Sequence, residues 1–140
     1  MSRRSAKIGT QKELTIVDVF SGAGGLSTGF AKAVGRRGEK YKILFAVDHD
    51  LHAMQTFRAN HFPEVPLGTE DPRACCEDVK EINADRILAA IRPHRRVDVL
   101  IGGPSCQGVS PAGLRNPSES ATRCFWPLFA SLKNSGQSGL

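Results

Sequence analysis

A chain of 140 residues has room for one domain around a single core. Its 40% hydrophobic and 24% charged residues are ordinary for a globular protein, and no apolar run approaches the ~18 residues of a membrane helix. A formal charge of +5 admits an anionic partner such as nucleic acid, but the basic residues are scattered, so charge alone decides little.

Residues 1–13 read as a basic, disordered head. Arg3, Arg4 and Lys7 are not followed by the apolar stretch and small-residue cleavage site of a signal peptide, so a cytoplasmic location is expected. Leu14 to Phe20 is a short β-branched run that stops at a glycine-rich turn, the pattern of a buried strand. Leu26, Phe30, Ala33 and Val34 then recur at helical spacing, and Gly35 and Gly38 end the helix. Tyr41 to Val47 is a second strand, closed by Asp48. Asp50 is placed to cap a helix running from Leu51 to Asn60, with Leu51, Met54 and Phe57 on one face.

After a proline-rich loop from Pro63 to Pro72, Ala74 to Val79 reads as a short third strand. Asn83 caps a helix through Ile91 that Pro93 stops, and Val97 to Ile101 is a fourth strand. Strictly alternating strands and helices imply right-handed crossovers and a parallel α/β sheet of the Rossmann-like kind. From residue 117 the chain reads as an atypical, poorly structured tail. Its one apolar cluster, Phe125 to Leu132, is interrupted by Pro127, and no fifth strand is visible.

Three features carry chemistry. In the block Asp18-Val-Phe-Ser-Gly-Ala-Gly-Gly-Leu26, glycines at the carboxyl end of a strand let backbone approach a ligand. The helix that follows offers unpaired N–H groups to a carboxylate or phosphate. The spacing matches neither the dinucleotide fingerprint nor a P-loop. Asp48 stands at the end of the second strand, where this fold places the carboxylate that accepts from both hydroxyls of a ribose. Cys106 lies on the loop Gly102-Gly-Pro-Ser-Cys-Gln-Gly-Val-Ser110, beyond the fourth strand, and that strand is expected beside the first at the switch point where such sheets bind ligands. Of four cysteines, Cys75 and Cys76 are adjacent and no Cys-x-x-Cys occurs. A zinc site is therefore not expected, and free thiols are.

Together the glycine block, the acid after strand two and the cysteine loop resemble the cytosine-C5 DNA methyltransferases, over roughly residues 14–116. Those enzymes carry Phe-x-Gly-x-Gly-Gly, then an acidic residue, then Pro-Cys-Gln. The resemblance implies a class I methyltransferase sheet, incomplete here with about four strands of the usual seven. It implies S-adenosylmethionine as cofactor, with Phe20 against the adenine and Gly22, Gly24, Gly25 and Leu26 around the methionine part. Asp48 would take the ribose hydroxyls, His49 and Asp78 the adenine, and Pro104 would also line the cofactor. Cys106 would be the nucleophile, with Gln107 and Ser110 toward the DNA.

The implied reaction is methyl transfer to carbon 5 of cytosine in a duplex from which the base is flipped, and the implied partners are DNA and a cognate restriction endonuclease. Three departures stand out: Ser105 replaces the family's proline before the nucleophile, no Glu-Asn-Val block follows, and the family's Arg-containing motif, target-recognition region and final helix beside the cofactor are absent. Little or no turnover is therefore expected of this chain alone. The alternatives are a non-catalytic S-adenosylmethionine- or DNA-binding remnant, or an RNA cytosine-C5 methyltransferase.

Overall fold

The computed structural model describes residues 11–104 and 122–135, with side chains of the second stretch from 126 to 134. The elements are β1 (Glu13–Val19), α1 (Gly25–Lys32), β2 (Lys40–Asp48), α2 (Leu51–His61), β3 (Ala74–Cys76), α3 (Ala84–Ala90), β4 (Val99–Gly102) and α4 (Thr122–Ser135). A single 3-10 turn, Val79–Glu81, joins β3 to α3.

The four strands form one parallel sheet in the order β3-β2-β1-β4. Helices cover both faces, so Thr15 to Val19 and Ile43 to Asp48 are buried on either side and read as continuous runs rather than alternating ones. On one face Val17, Val19, Phe45 and Val47 pack with Ile87 and Ile91 around α3 and with Leu128 and Leu132 of α4. On the other, Ile16, Ala46, Ala74 and Ile101 meet Met54 and Phe57 of α2. Among the described residues no helix is long and apolar enough to cross a membrane.

The expected alternation and parallel sheet are present, and both predicted caps form. Asp50 Oδ1 accepts from the Ala53 amide and Asn83 Oδ1 from the Arg86 amide. Four details differ. The tail is not wholly irregular: α4 runs through Pro127 and buries Leu128 and Leu132. An interior proline discourages a helix locally, but apolar burial on the sheet outweighs that bias. Leu51 is 54% exposed rather than part of the core, because it opens α2 one turn ahead of the buried Met54 and Phe57. Val34, expected on a helix face, is 65% exposed and bridges to Lys40 in a hairpin-like turn. The third strand ends at Cys76, where Asp78 turns the chain by accepting from the Lys80 amide.

Candidate cofactor site at the carboxyl ends of the strands

The end of β1 is where the backbone leaves ordinary geometry. Phe20 has φ 59°, Gly22 54° and Gly24 91°, so left-handed residues punctuate the turn before α1. For Phe20 this conformation is costly and persists only because its neighbours impose it. The Ser21 amide donates to the Val47 carbonyl, which pulls the turn across β2. Half-buried, the Phe20 ring packs against the core on the α3 side.

Asp48 organises this turn. It is 8% exposed at the end of β2; one carboxylate oxygen accepts from the Gly22 amide and the other from the Asp50 amide, both at 2.9 Å. One side chain thus ties the glycine turn to the start of α2. Each oxygen keeps a second lone pair, so a ribose hydroxyl could still be received. His49, beside it, is exposed, with Nδ1 3.5 Å from Asp48.

The glycine block holds a second carboxyl, Asp18. Asp18 is wholly buried near the carboxyl end of β1, where Oδ2 accepts from the Ser27 hydroxyl at 2.6 Å in the first turn of α1. Its other oxygen has no partner among the described residues. Burial pushes its pKa up to about 6; the Ser27 hydroxyl opposes that and the charge of Asp48 adds to it. An acidic residue inside an otherwise apolar strand was the available signal for it.

The glycines of the turn divide by what surrounds them. A Cβ on Gly22 or Gly25 would meet no atom within 4 Å, so both face open space that a ligand could enter. A Cβ on Gly24 would lie 2.8 Å from Phe57 Cδ2 and 2.9 Å from His61 Nε2, so that position is glycine because α2 packs on it. Leu26, in the first turn of α1, is 52% exposed and stands at the rim of the same opening.

The remaining predicted residues flank this turn. Val19 pairs with Gly102, so β1 and β4 end side by side and Pro104 follows next to the start of the glycine turn. Asp48 pairs with Cys76, and the Glu77 amide donates to the Asp48 carbonyl, which brings the exposed Asp78 to the neighbouring strand end. The structure therefore gathers Phe20, Gly22, Gly25, Leu26, Asp48, His49, Asp78 and Pro104 along one end of the sheet. Cys106, Gln107 and Ser110 lie outside the described residues. Cys75 and Cys76 are free thiols; burial raises the pKa of Cys75, and Cys76 Sγ sits 3.6 Å from the His49 carbonyl.

The likeness to known proteins agrees with this geometry. A type II methyltransferase of Haemophilus parahaemolyticus, M1.HphI, is 42% identical over 100 residues, which is 71% of this chain and 23% of that protein. M.AgeI of Thalassovita gelatinovora, also a type II methyltransferase, is 34% identical over 81% of this chain and 23% of its own length. The chain thus spans about a quarter of these relatives. In fold it resembles the crystal structure of the S. pombe Dnmt2 methyltransferase, with a TM-score of 0.50 over 86% of this chain and 32% of that one, at 19% identity. The profile of the C-5 cytosine-specific DNA methylases matches residues 14–135, extending through α4, and the chain belongs to that family.

Proposed function

We propose that this chain forms the cofactor-binding, nucleophile-bearing portion of a DNA (cytosine-5-)-methyltransferase. The observation that carries the reading is the adjacency of the β1 and β4 ends, Val19 against Gly102, with the glycine turn held open by Asp48. That adjacency starts the Cys106 loop next to the turn that would hold S-adenosylmethionine.

The residues present fit that cofactor. Gly22 and Gly25 leave room at the turn, the first turn of α1 offers N–H groups to a carboxylate, and Asp48 retains lone pairs for ribose hydroxyls. Phe20, Leu26, His49, Asp78 and Pro104 would complete the contacts, and Gly24 would shape the turn. When bound, S-adenosylmethionine supplies an electrophilic methyl group on a sulfonium.

Carbon 5 of cytosine is a poor nucleophile by itself. In this reading the Cys106 thiolate would add to carbon 6, forming a sulfur–carbon bond as the carbon 5–carbon 6 π electrons move toward carbon 5. Carbon 5 could then take the methyl group as its bond to the sulfonium sulfur breaks and S-adenosylhomocysteine leaves; loss of the carbon 5 proton to water and departure of the thiolate would restore the ring. The reactive species is the thiolate, so the site must favour deprotonation. The base must leave the duplex stack to reach the thiol, at a cost of a few kcal/mol. Gln107 and Ser110, on the same loop, would contact the DNA in this reading. The naming of relatives as type II methyltransferases further suggests a restriction endonuclease as functional companion.

The test combines binding and trapping. Calorimetry with S-adenosylmethionine should show binding to the wild-type chain and weaker binding to D48A. In a full-length methyltransferase that carries this segment, a duplex with 5-fluorocytosine should trap a covalent adduct when Cys106 is present and none in C106S. Cofactor binding without an adduct would favour a second reading, a non-catalytic binding module, to which Ser105 in the nucleophile loop points. No binding at all would refute both.

A further inference from the structure

His61 closes α2, one turn beyond Phe57, and leans on the turn that opens α1. Its Nε2 lies 3.2 Å from Thr28 Oγ1 and 3.4 Å from the Gly24 carbonyl oxygen. The imidazole stacks on Phe57 with ring centroids 4.5 Å apart. That same Gly24 carbonyl accepts from the Thr28 amide at 2.8 Å, the bond that closes the first turn of α1. His61 therefore touches both residues of that bond. In one tautomer Nε2 accepts from the Thr28 hydroxyl; in the other it donates to Gly24.

Among the described residues, no side-chain cap holds the N-terminus of this helix. Gly24 is its N-cap and supplies no side-chain bond, and the first turn carries no acidic residue. The free amides there are left to water or a ligand, and bracing of the turn falls to a neighbouring element that contacts it elsewhere. His61 is suited to that task because it sits on a packed element: Phe57 is wholly buried, and the Gly24 backbone comes so close that a Cβ there would strike the imidazole. Burial lowers the His61 pKa, partly offset by the Gly24 carbonyl, so the ring is neutral at neutral pH and puts no cation at the positive end of the helix dipole.

We infer that His61 is a positioning residue for the cofactor turn, holding Gly24 and the first turn of α1 in the geometry that binds S-adenosylmethionine. The inference rests on the proposed cofactor reading, but it makes a statement about the turn itself that is measurable without cofactor.

The experiment uses the full chain, 15N-labelled, as wild type, H61L, H61Q and T28V. Hydrogen exchange of the Thr28 amide reports the first turn, calorimetry reports S-adenosylmethionine affinity, and thermal unfolding reports global stability. H61L should speed Thr28 exchange and weaken binding roughly tenfold, the value of one net hydrogen bond at the upper end of its range. H61Q, whose carboxamide can both donate and accept, should restore most of both. T28V removes only the hydroxyl and should move both readouts in the same direction by less; it also carries the test if H61L does not fold. Wild-type exchange and affinity in folded H61L, or in T28V where H61L is unfolded, would overturn the inference. If the wild type binds no cofactor, the functional proposal fails while Thr28 exchange still decides the role of His61: unchanged exchange in the variants overturns it, faster exchange rescued by H61Q supports it.

Discussion

Replacing Asp18 by asparagine should make the protein more tolerant of rising pH. Asp18 is wholly buried, and desolvation lifts its pKa from 3.8 to about 6 against the opposing Ser27 hydroxyl, with Asp48 adding to the rise. The sign follows from proton binding. Between 3.8 and about 6 the folded chain keeps a proton that the unfolded chain has released, so stability falls as pH rises through that window. Above it the full penalty applies, about 3 kcal/mol for a gap of this size. D18N removes the ionisation and can still accept from Ser27, while its amide places new donors where one oxygen had no partner, at a cost of about 1–3 kcal/mol if they stay unpaired.

That cost does not vary with pH, so the discriminating quantity is the slope. From about pH 4.5 to about pH 7.5 the stability of D18N relative to wild type should rise by about 2 kcal/mol. Urea denaturation followed by far-UV circular dichroism, with equal m-values for the two proteins, measures it. A difference that stays constant across that range would refute the claim that burial governs this carboxyl.

Three further outcomes are expected. G24A combines a left-handed φ of 91° with a Cβ pressed on Phe57 and His61, and should lose about 2–4 kcal/mol in denaturant titrations. G25A meets no neighbour and adds a good helix former at the first position of α1, so its melting temperature should hold or rise while S-adenosylmethionine binding weakens in calorimetry; unchanged affinity would move the cofactor away from this turn. L132A empties a buried position of α4 and should cost about 2–5 kcal/mol by urea unfolding, whereas a loss under about 0.5 kcal/mol would mean that α4 contributes little to the core.

Much of the architecture was legible because its determinants are local. Leu14 to Phe20 and Tyr41 to Val47 announce strands through β-branched apolar runs, and Asp50 and Asn83 announce helix starts through side chains that reach amides three residues on. The place of Asp48 at the end of β2 was legible from the strand pattern that precedes it. Its bond from the Gly22 amide was not, since that bond joins residues 26 apart in sequence. Leu51 misled because helical spacing shows which residues share a face but not how far along the helix the core extends. Pro127 misled because its local bias is real and only docking of Leu128 and Leu132 overrides it.

The sequence by itself determined the order of strands and helices along the chain and the family pattern, since each depends on side chains a few positions apart. Tertiary structure alone decided that the Asp48 carboxylate receives the Gly22 amide, that Asp18 is buried with one oxygen unpartnered among the described residues, and that Gly24 must be glycine because Phe57 and His61 press on it. Those outcomes depend on which segments the parallel crossovers bring together, and close packing between distant residues leaves no trace in local periodicity.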